Sequence, residues 1–175
     1  MKNIQILIFL VLLGSCTSNN NKVYQWRGEE RTGIFPGTGL LEEWPEEGPV
    51  KLWAIEGLGN GHGSPTFTED HFYITGEKDS MAILQSYSLD GVKQWQTVLG
   101  REYIKSYPGS RSAPTIAGKL LYTVTGMGDL YCVDIRDGKV IWSKDFVNDA
   151  AGIPTLHGFT EAPVIDVEKV LGSRR

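Results

Sequence analysis

The chain has 175 residues, of which 41% are apolar, and a formal net charge of −4. Apart from the terminal Arg174 and Arg175, it has no block of basic residues that would neutralise phosphates, so nucleic acid is excluded as a partner. The 21 glycines are spread along the chain, which predicts many turns and therefore many short strands.

The first fifteen residues predict a signal for export. Lys2 is followed by an apolar run from Ile4 to Leu13, which is too short to span a bilayer as a helix because that needs roughly 20 residues. The run leads into Gly-Ser before Cys16, and this resembles the lipobox of bacterial lipoproteins. The resemblance implies that residues 1–15 are removed and that Cys16 becomes the lipidated first residue of the mature protein. The alternative is an ordinary secretory signal with an incidental cysteine.

The polar residues 16–23 predict a flexible tether between the lipid anchor and a folded domain. We expect the anchor to hold the protein in the cell envelope, on the outer membrane and facing the periplasm. Once Cys16 is lipidated, Cys132 is the remaining cysteine, so no intramolecular disulfide is expected. Cys132 has apolar neighbours in the sequence and is predicted to be a small core residue, not a reactive thiol.

Residues 112–143 contain four short runs that each predict a strand, and the runs are separated by turns that contain glycine. The turns are marked by Gly118, by the segment GMGD (residues 126–129) and by Asp137-Gly138, residues that accept a positive φ. The predicted strands cover residues 114–116, 120–124, 130–133 and 140–142. Four strands joined by short turns form an antiparallel meander, which needs neighbours of the same kind to bury its faces.

The plan of this meander is repeated along the chain. Residues 64–96 form an earlier copy, in which Pro65 and Trp95 correspond to Pro114 and Trp142. A partial copy covers residues 161–171, and residues 48–53 are predicted to be the last strand of a preceding unit. The period is about 48 residues, which together with four strands per unit is typical of a β-propeller blade.

Each unit ends in a tryptophan near the close of its last strand: Trp53, Trp95 and Trp142. We expect these broad rings to pack between adjacent blades, in preference to a role in ligand binding. The sequence therefore predicts an all-β fold, a partial β-propeller of four-stranded antiparallel blades.

The repeats AGKLLYTVTGMGDLYCVDIRDGKVIW and LQSYSLDGVKQW resemble those of propellers of the pyrroloquinoline-quinone type. The preceding segment resembles the start of the propeller in bacterial quinone-binding-like repeat proteins, through Trp26-Arg27-Gly28, Trp44-Pro45 and Leu52-Trp53 among others. The resemblance covers about residues 24 to 171. It implies an incomplete quinoprotein-like propeller over residues 24–175. Proteins of this kind include quinone-dependent dehydrogenases and non-catalytic envelope lipoproteins that lack the cofactor.

Propellers of this kind usually close with seven or eight blades, of which this sequence supplies about three. Even four units of 48 residues exceed the roughly 160 residues that follow the signal. We therefore expect a truncated or frameshifted member of the family, which exposes an unpaired strand edge and is prone to self-association.

The dehydrogenases of this kind use pyrroloquinoline quinone with calcium, and the resemblance implies adjacent cysteines and a cluster of Glu, Asn and Asp ligands in them. This sequence has no adjacent cysteines and no carboxylate cluster with calcium-loop spacing. Its three histidines, His62, His71 and His157, follow no zinc-binding pattern. No cofactor, metal site or catalytic residue is therefore predicted.

Polar residues lie just before the first strand of each unit, in segments that we call the leading loops. In a propeller the first strand is innermost, so the leading loops surround the mouth of the central channel. The candidate binding residues are His62 and Ser64 in the first leading loop, Arg111 and Ser112 in the second, and Glu161 in the third. The alternative is that these side chains only satisfy backbone groups and face water.

The predicted function is that of a lipid-anchored envelope protein that binds or scaffolds an envelope protein partner without catalysis. One alternative is a fragment of a pyrroloquinoline-quinone-dependent dehydrogenase acting on alcohols or sugars. Another is a truncated product without function.

Overall fold

The computed structural model of the chain describes residues 22–166 and 169–172. The predicted signal (residues 1–15), Cys16 and the predicted tether up to residue 21 lie outside the described residues. Within these ranges, no helix is long and apolar enough to cross a membrane.

The described chain is built from short strands with a single short helix near its end. The strands are β1 (Val23–Tyr24), β2 (Thr66–Phe67), β3 (His71–Lys78), β4 (Met81–Ser88), β5 (Lys93–Arg101), β6 (Thr115–Ala117), β7 (Leu120–Val124), β8 (Asp129–Asp134), β9 (Val140–Asp145), β10 (Val164–Asp166) and β11 (Lys169–Leu171). Helix α1 (Phe146–Ala150) lies between β9 and β10.

The strands form three antiparallel sheets that follow one another along the chain. The first blade has the order β2-β3-β4-β5, and the second has β6-β7-β8-β9 with β1 added beside β6. The pair β10-β11 forms a two-stranded sheet in the third unit. The prediction of an all-β fold with four-stranded antiparallel blades is confirmed.

The centre of the first blade is the long hairpin of β3 and β4. The two strands pair from His71 with Ser88 to Lys78 with Met81 without a break in register. Asp79 and Ser80 connect them with φ angles of 54° and 66°. Positive φ angles at both residues of a two-residue turn match the right-handed twist of the two strands. Six consecutive residues of β4 are buried, which places this strand between two packed faces.

Three parts of the chain differ from the sequence-based expectation. Residues 48–53 form no strand, because no strand among the described residues pairs with them. The two-residue strand β1 was not predicted and pairs Val23 with Ala117 on the second blade. Helix α1 was also not predicted, although Asp145 caps its start by accepting hydrogen bonds from the backbone N–H of Val147 and Asn148 at 2.8 and 3.0 Å.

The hydrophobic core lies between neighbouring units. One cluster joins Tyr73 and Leu84 of the first blade to Ile116, Leu121 and Val133 of the second. The other cluster packs side chains of the second blade, among them the fully buried Cys132, against the third unit. Cys132 is thus a core residue, as predicted, and burial raises the pKa of its thiol.

A buried hydrogen bond between units recurs at the period of the repeat. The Thr66 hydroxyl in β2 donates to the carbonyl of Pro114 at 2.6 Å, and the Thr115 hydroxyl in β6 donates to the carbonyl of Pro163, also at 2.6 Å. Both threonines are buried and follow the proline that leads into their own first strand. These bonds set the first strands of successive units side by side.

The repeated tryptophans also pack between units. Trp53 lies against Gly91 in the first blade, and Trp95 lies against Gly138 in the second, where its indole N–H donates to the carbonyl of Ile135 at 3.0 Å. Each of these glycines is in the Asp-Gly turn and has a positive φ, 86° at Gly91 and 74° at Gly138. The ring therefore rests on the glycine, which has no side chain. For Trp95 this contact lies between two blades, as predicted, whereas Trp53 packs on the first blade from a segment that forms no strand.

Replacing Gly138 with alanine should destabilise the stack of blades. A Cβ on Gly138 would lie 2.5 Å from the ring of Trp95, so the ring must move in addition to the backbone strain of φ 74°. We expect Gly138→Ala to lower the free energy of unfolding by about 1 to 3 kcal/mol more than the matched control Gly39→Ala. Gly39 has a similar φ of 68° but no atom within 4 Å of its added Cβ. Urea unfolding followed by tryptophan fluorescence measures the difference, and equal losses would contradict this role of Gly138.

Candidate functional site

The first and second leading loops lie side by side. Gly61 forms an isolated parallel bridge with Ser110, and the backbone N–H of His62 donates to the carbonyl of Ser110 at 2.7 Å. In return the Ser110 N–H donates to the carbonyl of Asn60 at 3.2 Å. This pairing brings together His62 and Arg111, which are 49 residues apart and occupy equivalent positions in the repeat.

A buried carboxylate fixes the second leading loop to its blade. Glu102 is only 4% exposed, and one carboxylate oxygen accepts from the N–H groups of Gly126 and Tyr103 at 2.6 and 2.8 Å. The other oxygen accepts from the Ser110 hydroxyl at 2.7 Å. The carboxylate of Glu102 therefore points into the protein and away from the surface of the loop.

The same loop is closed by the side chain of Arg111. Its guanidinium donates to the carbonyls of Gly109 at 2.9 Å, Ser106 at 3.0 Å and Tyr107 at 2.5 Å. Tyr107 has a φ of 47°, in the left-handed region, and it precedes Pro108. Both features are unfavourable for a tyrosine, so the surrounding hydrogen bonds hold the backbone in a strained conformation.

These loops form a shallow depression that is open to solvent, which we call the rim pocket. It has a volume of about 250 Å³ and is lined by His62, Tyr107, Arg111 and His157. His157 lies in the loop before the third unit, and its Nδ1 is 3.2 Å from the Ser106 hydroxyl, so the ring is oriented by the second leading loop. The rings of Tyr107 and His157 are 6.1 Å apart. Three successive units thus contribute side chains to one pocket.

The lining of the rim pocket contains no acidic side chain. Arg111 forms no ion pair with any described residue, since the ion pairs in this part of the chain join Lys22 to Glu69 and Arg136 to Asp134. The pocket therefore offers N–H donors and one uncompensated positive charge.

The five predicted binding residues are dispersed in the structure. His62 and Arg111 line the rim pocket, whereas Ser64 lines a separate groove. Ser112 is buried, and its hydroxyl accepts from the Val124 N–H at 3.3 Å. Glu161 is partly buried and does not line the rim pocket.

Two lining residues, Tyr107 and His157, were not among the predicted site residues. The position that corresponds to His62 and Arg111 in the third unit is 160, three residues after His157. The signal in the sequence for His157 is therefore a polar residue within three positions of this repeat equivalent. No comparable signal marks Tyr107, because its place depends on the turn that Arg111 closes.

A second concavity, the N-terminal groove, lies between residues 22–36 and residues 64–69 and has a volume of about 970 Å³. Its lining includes the largely exposed rings of Trp26, Phe35 and Phe67. At one side the Glu69 carboxylate accepts hydrogen bonds from the Tyr24 hydroxyl and from Lys22. These bonds lower the pKa of Glu69 to about 2. The groove is mainly apolar and contributes no group to the rim pocket.

The rim pocket depends on Glu102, which gives a test of its construction. Glu102→Leu removes the acceptor of three donors and should lower the free energy of unfolding by about 2 to 4 kcal/mol, because buried donors are then left without partners. Glu102→Gln should restore most of that loss, since its oxygen still accepts from the two N–H groups and its amide can donate to Ser110. Thermal or urea unfolding measures both variants. If Gln and Leu are equally destabilising, the hydrogen bonds to Glu102 do not hold the loop.

The comparisons with known proteins agree with this architecture. A family model described as outer membrane protein assembly factor BamB matches residues 37–171, which include both complete blades and the third unit. No curated protein matches the chain. Because the match covers more than half of the sequence, the chain belongs to the family of outer membrane protein assembly factor BamB and is a propeller protein with repeats of the pyrroloquinoline-quinone type.

Proposed function

We propose that this protein is a lipid-anchored, non-catalytic binding module of the cell envelope, which holds an envelope protein partner through its leading loops. The observation that carries the proposal is the rim pocket, in which three successive units of a BamB-family propeller present side chains to one point. Family membership supports a binding or scaffold role and a place in the cell envelope.

The hydrogen bonds of the described chain favour binding over catalysis at this pocket. The hydroxyl of Ser106 lies 3.2 Å from His157, which is the spacing of a nucleophile and its base. In the described residues no carboxylate orients the other side of the His157 ring, a component that such catalytic arrangements normally have. Arg111 is largely engaged with backbone carbonyls. These groups are suited to holding a ligand in place.

Lipid anchoring is supported by the sequence around Cys16, and Lys22 begins the described chain six residues later. A tether of this length keeps the folded blades close to the membrane surface, because six residues span at most roughly 20 Å. A partner that this module engages would therefore lie at or near the same membrane.

Changing Cys16 should release the full-length protein from the membrane. We expect the unchanged protein to stay in the membrane fraction after a high-salt wash and to incorporate labelled fatty acid in a bacterial host. Cys16→Ser should lose both properties, because the lipidated sulfur is gone. The matched control Cys132→Ser alters the buried cysteine and should retain the label. Unchanged label or membrane retention in Cys16→Ser would refute the lipid anchor.

The alternative function, that of a quinone-dependent dehydrogenase, is tested by adding the cofactor of such enzymes. Within residues 22–166 and 169–172 no three His, Cys, Asp or Glu side chains are grouped to hold a metal ion, so the residues present do not fit the calcium that accompanies the quinone. We expect neither bound-quinone absorbance nor dye reduction when the full-length protein is mixed with pyrroloquinoline quinone, calcium and an alcohol or aldose sugar. Cofactor-dependent turnover would contradict the non-catalytic role.

A further inference from the structure

We propose that the rim pocket binds a small oxyanion, the carboxylate or phosphate group of a ligand, between His62, Arg111 and His157. The inference deepens the proposed binding role and rests on it. It names the chemistry that the pocket recognises.

The second leading loop carries mainly basic side chains. Between the end of β5 and Arg111, residues 102–111 include Lys105 and Arg111, and their single acidic residue is Glu102. Because the Glu102 carboxylate is buried and accepts hydrogen bonds from Gly126, Tyr103 and Ser110, the charged side chains that this loop presents to solvent are basic. An acidic protein thus presents a local positive site, which attracts anions.

Three side chains that line the pocket have nitrogen atoms without a partner among the described residues. Arg111 uses three of the five N–H donors of a guanidinium for backbone carbonyls, so two have no partner among the described residues. The ring of His62 is exposed and makes no hydrogen bond to the described residues. His157 uses Nδ1 toward Ser106, which leaves Nε2 available. Side chains with ring or guanidinium nitrogens thus line the pocket from three loops, and no acidic side chain lines it.

The rim pocket is small and lies on a loop that is tied to itself by hydrogen bonds. Its volume of about 250 Å³ leaves room for an oxyanion group of a few atoms. The three hydrogen bonds from the Arg111 guanidinium to backbone carbonyls of its own loop hold this loop in shape. A site formed in advance loses less conformational entropy on binding.

The lining also discriminates between classes of ligand. A metal cation would meet a fixed guanidinium charge and no carboxylate oxygen, and an apolar ligand would leave the N–H donors unpaired. An oxyanion accepts hydrogen bonds from all three donor residues and compensates the positive charge. Tyr107, whose side chain is 74% exposed, adds an aromatic wall at the mouth of the pocket.

The test is a titration of the full-length protein, isotopically labelled for NMR or followed by calorimetry, at constant ionic strength. Inorganic phosphate and citrate are the two probes, and sodium chloride is the control anion. We expect saturable binding of at least one probe, with the largest shifts at His62, Arg111 and His157. Saturation by phosphate alone identifies a phosphate ligand, and saturation by citrate alone identifies a carboxylate ligand. If neither probe saturates, the proposal is wrong.

Variants localise the binding. His62→Ala removes a ring that has no structural partner in the described chain, and it should weaken binding about tenfold, the effect of one charge-assisted hydrogen bond. His157→Ala should also weaken binding. The matched control is His71→Ala, because His71 lies in β3 and does not line the rim pocket. Equal affinities of His62→Ala and His71→Ala would overturn the assignment. The membrane localisation tested through Cys16→Ser is measured separately, so it stands or falls independently of this result.

Discussion

The contact on which the rest of the structure depends is the one between successive blades. A four-stranded sheet with apolar residues on both faces has no interior of its own, so its central strand is buried only when a neighbour covers each face. The clusters around Leu84 and Cys132 lie at these boundaries. Two contacts fix the orientation of one blade on the next. A threonine hydroxyl donates a hydrogen bond to a proline carbonyl of the next unit, and a tryptophan ring packs on the glycine of an Asp-Gly turn.

The hydrogen bonds at the boundary also decide where polar loops are placed. Because Thr66 and Thr115 each reach the proline of the next unit, the first strands run side by side and their leading loops must converge. The rim pocket follows from this geometry. His62 and Arg111, at equivalent positions, both line it, whereas the equivalent Thr160 of the third unit does not. The fold therefore brings the leading loops together, and the residue types in them determine which groups line the rim pocket.

The sequence was sufficient for the features that recur. The spacing of Trp95 and Trp142 and of their Asp-Gly turns predicted the blades. These residues recur because each copy must bury the faces of its sheet against its neighbours. Strand β1 has only two residues, too few for a periodic signal. Ser112 has a side chain typical of a binding loop, but its hydroxyl is buried on the backbone of β7. Which polar residue serves the fold and which faces a ligand depends on partners that are remote in sequence.

The polar side chains of the described chain fall into those that are hydrogen-bonded within it and those that are not. The buried Thr66, Thr115 and Glu102 have acceptors or donors at normal hydrogen-bond distances, so their polarity is already used within the chain. His62 has no such partner. A side chain without an internal partner contributes no hydrogen bond between the blades, so its substitution leaves those bonds in place. A scaffold built from repeats can in this way keep its tryptophan and threonine contacts fixed while its leading loops acquire new specificities.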